Sequence, residues 1–144
     1  MKLILIGDGD QRQLYEQMAS GMEVEFRGNL PNAVVRQEMA DSQIDVLPSE
    51  CYEGMPVSTL ECFAEGTASV VSDLGALPGL VKDTRLGEVF KTGDAKALAE
   101  AIVRLLKRKD YDEMCLACRK EAEEKYSEAS NCRQLMDIYQ GILK

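Results

Sequence analysis

Short apolar runs closed by glycine or proline alternate with segments of helical periodicity as far as Phe90, and nothing else in the chain constrains its fold so strongly. The runs are Lys2–Ile6, entering Gly7-Asp8-Gly9; Val24–Arg27, closed by Gly28; Ile44–Leu47, stopped by Pro48; Ser69–Ser72; and Glu88–Phe90. Lys2–Ile6 reads as a buried parallel strand, and the other four read as further strands. The segments between them read as helices over Asp10–Ser20, Asn32–Ser42, Pro56–Glu65 and Leu77–Lys82. Asp10 stands at the expected cap of the first, with Gln13 at the capping-box position and Gly21 as its stop. Pro56 opens the third, where its missing N–H costs nothing.

From Asp94 onward only helical patterns remain. Leu98, Ala101, Ile102 and Leu105 form one apolar stripe, the stretch Tyr111–Lys125 another, and Leu135, Ile138, Tyr139 and Ile142 a third. Strands alternating with helices imply right-handed crossovers and helices on both sheet faces. The expectation is an α/β domain with a doubly wound, mainly parallel sheet and a helical C-terminal third, spanning residues 1–144 as one domain. Ligands of such sheets bind beyond the carboxyl ends of the strands, at the topological switch point. That rule singles out the loops Gly7–Asp10, Gly28–Asn32, Pro48–Pro56 and Asp73–Pro78, and counts Gly7 and Gly9 among the ligand-site candidates.

Composition excludes several functions. The net charge of −8 and pI near 4.6 disfavour nucleic-acid and anionic-membrane partners. No apolar run is long enough to span a bilayer. The chain has no histidine, which removes the Ser-His-Asp triad and every His-based metal site. Its five cysteines form no regular framework, and the start of the chain carries no export signal, so a reducing, cytoplasmic location is expected. Cys115 and Cys118 make a C-x-x-C, but Tyr111, Met114, Cys115, Cys118 and Ala122 share helical spacing, which makes the pair part of a packed face.

Gly7-Asp8-Gly9 lacks the third glycine of a dinucleotide fingerprint, where this chain has Arg12. A phospho-receiver domain would need an aspartate where the third strand ends in Leu47-Pro48-Ser49. The strongest chemical signal is Glu53-Gly54-Met55-Pro56-Val57-Ser58-Thr59-Leu60-Glu61, two glutamates with seven residues between them. Gly54 permits close backbone approach, and the helix start after Pro56 offers N–H donors and positive dipole to a phosphate. The carboxylates themselves suit hydroxyl groups, each accepting two hydrogen bonds. The combination points to a ligand carrying both phosphates and diols. The plainer alternative makes Glu53 a helix cap and Glu61 a solvated charge.

These residues carry a resemblance. Lys2-Leu-Ile-Leu-Ile-Gly-Asp-Gly-Asp10, Val24-Glu-Phe-Arg-Gly28, Ile44-Asp-Val-Leu-Pro-Ser49, Glu53…Glu61, Ala64-Glu-Gly66, Val70-Val-Ser-Asp73, and Gly93-Asp94 with Ala97-Leu-Ala99 follow one another in family-like order. Over nearly its whole length the chain resembles the C-terminal, donor-binding half of retaining GT-B-fold glycosyltransferases of group 1, the Glu-x7-Glu type. The resemblance implies a Rossmann-like half of a GT-B fold that moves a sugar from a nucleotide-sugar to an acceptor hydroxyl without metal or other cofactor. It places Glu53 at the donor sugar near the reacting carbon, as the catalytic residue, and Glu61 on the nucleotide ribose. It assigns the distal phosphate to the backbone of Met55, Pro56 and Val57; because Pro56 has no N–H, Val57 and Ser58 are the expected donors, and the nucleoside diphosphate is expected over the Gly54–Ser58 turn. It lines the base pocket with Gly28, Asn29 and Leu30. It implies no metal site, and Asp8-Gly9-Asp10 reads as a capping sequence.

The family's phosphate-clamping Arg and Lys precede the strand that begins here, as does the acceptor-binding N-terminal domain. Thr67 stands where a proline is common, and Gly79 where the family usually places a glutamate. An excised domain is the first expectation; a natural single-domain subunit that pairs with a separate acceptor-binding chain is another. The alternative from another class is a non-catalytic nucleotide-sugar-binding or interaction module. Arg27, with Arg12 and Lys82 as neighbours, is the only basic residue near the candidate loops. The isolated chain is therefore expected to bind nucleotide weakly and to transfer no sugar.

Overall fold

The computed structural model describes residues 1–81 and 85–143, which form two units, Met1–Glu38 and Met39–Lys144. Its named strands pair in parallel throughout, in two sheets ordered β1-β2 and β3-β4-β5. Helices follow the strands as the alternation requires, so the parallel α/β architecture is the observed one.

In the first unit, β1 (Leu3–Ile6) pairs with β2 (Val24–Gly28) from Leu3↔Val24 to Ile6↔Gly28, with a register shift after Leu5. Helix α1 (Arg12–Met18) makes the crossover. Its N-cap is Gln11, without a side-chain capping bond, so Asp10 does not cap it. The helix ends at Ala19, two residues before Gly21 turns the chain with φ +80°. The expectation that β1 is buried fails: Leu3, Leu5 and Ile6 stay 45%, 38% and 37% exposed. Within this unit β1 pairs with β2, and a βαβ piece of this size has little apolar surface with which to cover the faces of the strand. The unit closes in α2 (Asn32–Asp41), whose last residues open the second unit.

In the second unit, β3 (Ile44–Leu47), β4 (Ala68–Ser72) and β5 (Gly87–Phe90) lie side by side. All five residues of central β4 are buried, as its uninterrupted small and apolar run predicts. The helix α3 (Val57–Glu65) turns Thr59, Cys62 and Phe63 inward at i, i+3, i+4 spacing, and all three are buried. Gly66, at φ +84°, ends it in a left-handed cap: its N–H bonds the Phe63 carbonyl at 2.9 Å, and Thr67 N–H bonds that of Cys62 at 2.8 Å. Thr67 then donates its hydroxyl to the Met39 carbonyl at 2.8 Å, a bond proline at that position could not make.

Short α4 (Leu77–Val81) buries Leu77, Leu80 and Val81; Lys82, its expected last residue, lies outside the described residues. The helical third contains α5 (Ala95–Leu106), α6 (Tyr111–Glu121), a π-helical turn over Ala122–Tyr126, and α7 (Glu128–Ile142). Asp94 caps α5, its carboxylate accepting from Ala97 N–H at 2.9 Å. Phe63, Val70, Val71, Leu77, Val81, Ala101, Leu105 and Cys118 are fully buried together in the core. The α5 and α6 stripes thus pack as their spacing predicts. The α7 stripe does not: Leu135, Ile138, Tyr139 and Ile142 are 46–74% exposed, and only Ser130 of that helix is buried.

Candidate functional site

The Glu-x7-Glu segment occupies the loop and helix that follow β3, at its C-terminal end. Glu53 is half-buried in the loop. One carboxylate oxygen accepts from the Ser49 hydroxyl at 3.1 Å, and the Ser49 backbone carbonyl accepts from the buried Ser72 hydroxyl at 2.7 Å. The Glu53 carbonyl accepts from Ala76 N–H at 3.4 Å, in the turn between β4 and α4. That turn passes so close that a Cβ on Gly75 would lie 3.2 Å from Glu53 O. The turn is itself fastened: Asp73 accepts from Thr92 N–H at 2.8 Å and from its hydroxyl at 2.6 Å. Those two bonds hold the Asp73 carboxyl below its ordinary pKa.

Pro56 is buried and takes the N-cap position in extended conformation, one residue before its expected place inside the helix. Val57 and Ser58 therefore begin α3, and both are exposed. No side chain caps this end, and no acidic residue occupies the first turn. The start of α3 thus presents N–H groups and dipole without a built-in anion. Gly54 and Met55 are exposed beside it. Glu61 is the fifth residue of α3, roughly 6 Å along the axis from Val57 at the rise of an α-helix. It is half-buried because Thr59, Cys62 and Phe63 take the inward face.

Below the site, Asp45 on β3 accepts from the Ser69 hydroxyl at 2.9 Å. Burial raises its carboxyl above the usual range, against hydrogen bonds from Ser69 and Cys62 that lower it. Burial, aided by Asp45, pushes the Cys62 thiol well above its ordinary pKa. In the C-x-x-C, burial pushes Cys118 up to about 12, as fits a packed thiol and not a redox nucleophile.

The remaining candidates stand in the first unit, at the C-terminal ends of β1 and β2. Gly7, at φ +123°, donates its N–H to the Gly28 carbonyl at 2.8 Å, which brings those two residues together. Gly9 N–H is taken by Asp8 at 2.9 Å. Gly28 is buried, Leu30 half-buried and Asn29 exposed. Arg12 and Arg27 of this unit are committed to carboxylates. Arg12 bonds Glu16 at 2.8 Å and Asp8 at 3.4 Å, while Arg27 bonds Glu25 at 2.9 Å and Glu38. Among the described residues no three His, Cys, Asp or Glu side chains are placed to share a metal ion. No described helix is long and apolar enough to cross a membrane. Gly79 is exposed, with open space where a Cβ would stand, so no carboxylate occupies the family's usual glutamate position.

Sequence reasoning did not single out Ser72 or Gly75, nor give Ser49 and Asp45 roles. Gly75 lay within a loop the switch-point rule marked, but its contact with Glu53 joins positions 22 residues apart.

The family profile described as "Glycosyl transferases group 1" matches residues 1–108. The chain is 29% identical over 143 residues to a phosphatidyl-myo-inositol mannosyltransferase of Mycobacterium leprae, covering 99% of this chain and 38% of that protein. Its fold matches sucrose-phosphate synthase from Thermosynechococcus elongatus with a TM-score of 0.84 at 23% identity, over 99% of this chain and 38% of that one. It also matches Anabaena Alr3699/HepE, solved in complex with UDP, with a TM-score of 0.86 at 20% identity, over 98% of this chain and 41% of that one. The chain thus spans well under half the length of each of these three proteins.

Proposed function

Because the chain belongs to the group 1 glycosyltransferases, we propose that it is the donor-binding half of a retaining, metal-independent enzyme that moves a sugar from a nucleotide-sugar to an acceptor hydroxyl. The observation that carries this reading is the arrangement after β3, where two half-buried carboxylates flank an uncapped helix start. The N–H groups of Val57 and Ser58 receive the distal phosphate, since charge at a helix N-terminus is stabilised by the dipole and the open donors. Glu61 accepts hydrogen bonds from the ribose diol, and Glu53 from sugar hydroxyls near the reacting carbon. In the first unit, Gly28, Asn29 and Leu30 are the residues this reading gives to the base, with Gly7 and Gly9 as further nucleotide-binding candidates.

The acceptor-binding half is supplied in cis or by a separate subunit, together with basic residues for the diphosphate. Arg12 and Arg27 already serve carboxylates, so the chain alone binds nucleotide weakly and transfers no sugar. A reducing cytoplasmic location belongs to this reading, and all five cysteines are free.

Titrations with UDP and UDP-glucose test it. Glu61→Gln should weaken both ligands by about 1–3 kcal/mol, the scale of a hydrogen bond to a charged group. Glu53→Gln should weaken UDP-glucose while sparing UDP. Equal losses on both ligands for both variants would refute the division of roles. Micromolar or tighter binding by the chain alone would favour a dedicated binding module instead.

A further inference from the structure

We propose that Ser49 and Ser72 are positioning residues for Glu53, forming a hydrogen-bond relay from the core of the sheet to the sugar-facing carboxylate. The inference rests on the reading of Glu53 given above. Ser72 is the last residue of β4 and 1% exposed, so its hydroxyl is fixed by the sheet. It donates to Ser49 O at 2.7 Å and thereby anchors the first loop residue after Pro48, two residues past the end of β3. The Ser49 hydroxyl stands 3.1 Å from Glu53 Oε1 and 3.2 Å from Cys51 O, and accepts from Cys51 N–H at 3.2 Å. Its single proton has two possible acceptors. The charged carboxylate is the stronger, so the proton goes to Glu53.

Glu53 is held independently at its backbone, by Ala76 N–H and by the close passage of Gly75. With the main chain fixed from the β4–α4 turn and the carboxylate fixed from Ser49, the side chain is left with one orientation. A glutamate otherwise has several rotamers to lose when it meets a ligand, and prior ordering removes that cost from binding. The competing explanation is that Ser49 only closes a local turn with Cys51, a common use of serine that would leave Glu53 free.

The two are separated by Ser49→Ala, Ser49→Thr and Ser72→Ala in the full chain. Side-chain coupling constants of Glu53 measured by NMR without ligand should report one rotamer in the wild type and averaging in Ser49→Ala and Ser72→Ala. Ser49→Thr, which keeps the hydroxyl, should restore the single rotamer. With ligands, Ser49→Ala should reduce the preference for UDP-glucose over UDP about tenfold, the fold-change that one hydrogen bond to a carboxylate supports, with UDP affinity held within twofold. A Glu53 that averages in the wild type, or stays fixed in Ser49→Ala, overturns the relay. Equal losses on both ligands also overturn it, because they mark collapse of the whole loop. If the wild type binds neither ligand, the donor-site reading fails, and the coupling constants still decide whether Ser49 positions Glu53.

Discussion

Alanine at Gly75 should disturb the loop that carries Glu53, whereas alanine at Gly93 should not. Both glycines sit in turns with left-handed backbone, at φ +60° and +75°. Each substitution therefore places an L side chain in a disfavoured conformation, at roughly 1 kcal/mol. They differ in what the new methyl group meets. At Gly93 nothing lies within 4 Å, whereas at Gly75 the Cβ would stand 3.2 Å from Glu53 O and 3.4 Å from Glu53 N and Tyr52 Cδ1. Two of those three atoms are backbone and cannot rotate away, so the loop must retreat by a few tenths of an ångström. The Ala76 N–H to Glu53 O bond is already 3.4 Å long and would not survive that shift. Losing it adds about 1 kcal/mol, which brings Gly75→Ala to about 2 kcal/mol against about 1 for Gly93→Ala. Urea unfolding with unchanged m-values gives the two costs, and amide shifts of Tyr52 and Glu53 report the displacement. Equal costs with an unmoved Glu53 amide would refute the reasoning.

Gly87→Ala should cost about 3 kcal/mol or more, because its Cβ would fall 1.8 Å from the carbonyl oxygen of its register partner Ser69 and force β5 from β4; a wild-type urea midpoint would count against this. Asp94→Ala should lose about 1 kcal/mol with the cap of α5, measured in the same way. Asp45 binds protons more readily folded than unfolded, since its folded pKa is raised above the ordinary 3.8. Its contribution to stability is therefore greatest below 3.8 and declines as pH rises through the raised value. Asp73, lowered by Thr92, acts oppositely, contributing above its unfolded pKa and losing that contribution as pH falls through the folded value. Stability of Asp45→Asn minus wild type should accordingly increase with pH across the first window, and a difference independent of pH would refute the assignment.

Much of this protein is written locally. A run such as Ile44–Leu47 before Pro48 can only be a short strand, and it is one at those residues. The spacing of Thr59, Cys62 and Phe63 sets the inward face of α3, which leaves Glu61 at its side. Pro56 opens that helix, and the Glu-x7-Glu spacing was legible because all its members lie on one loop and one helix. The same local logic reads the C-x-x-C as packing, since 3.6-residue periodicity puts Cys118 on the buried face.

What the periodicity could not supply was whether an apolar face meets a partner. The α7 stripe has the same spacing as that of α5, yet Leu105 is fully buried and Ile142 is 74% exposed. A stripe states only that a face is apolar; covering it depends on other elements, which tertiary structure alone brings there. The neighbours of Glu53 were hidden for a related reason. Ser72 ends β4 and Gly75 lies in the turn after it, and parallel pairing of β4 with β3 carries both to the loop after β3. Sequence by itself determined the strands, the helices and the two glutamates. Tertiary structure decided what holds Glu53 in place, because hydrogen bonds and close contacts depend on which strand ends become neighbours in space.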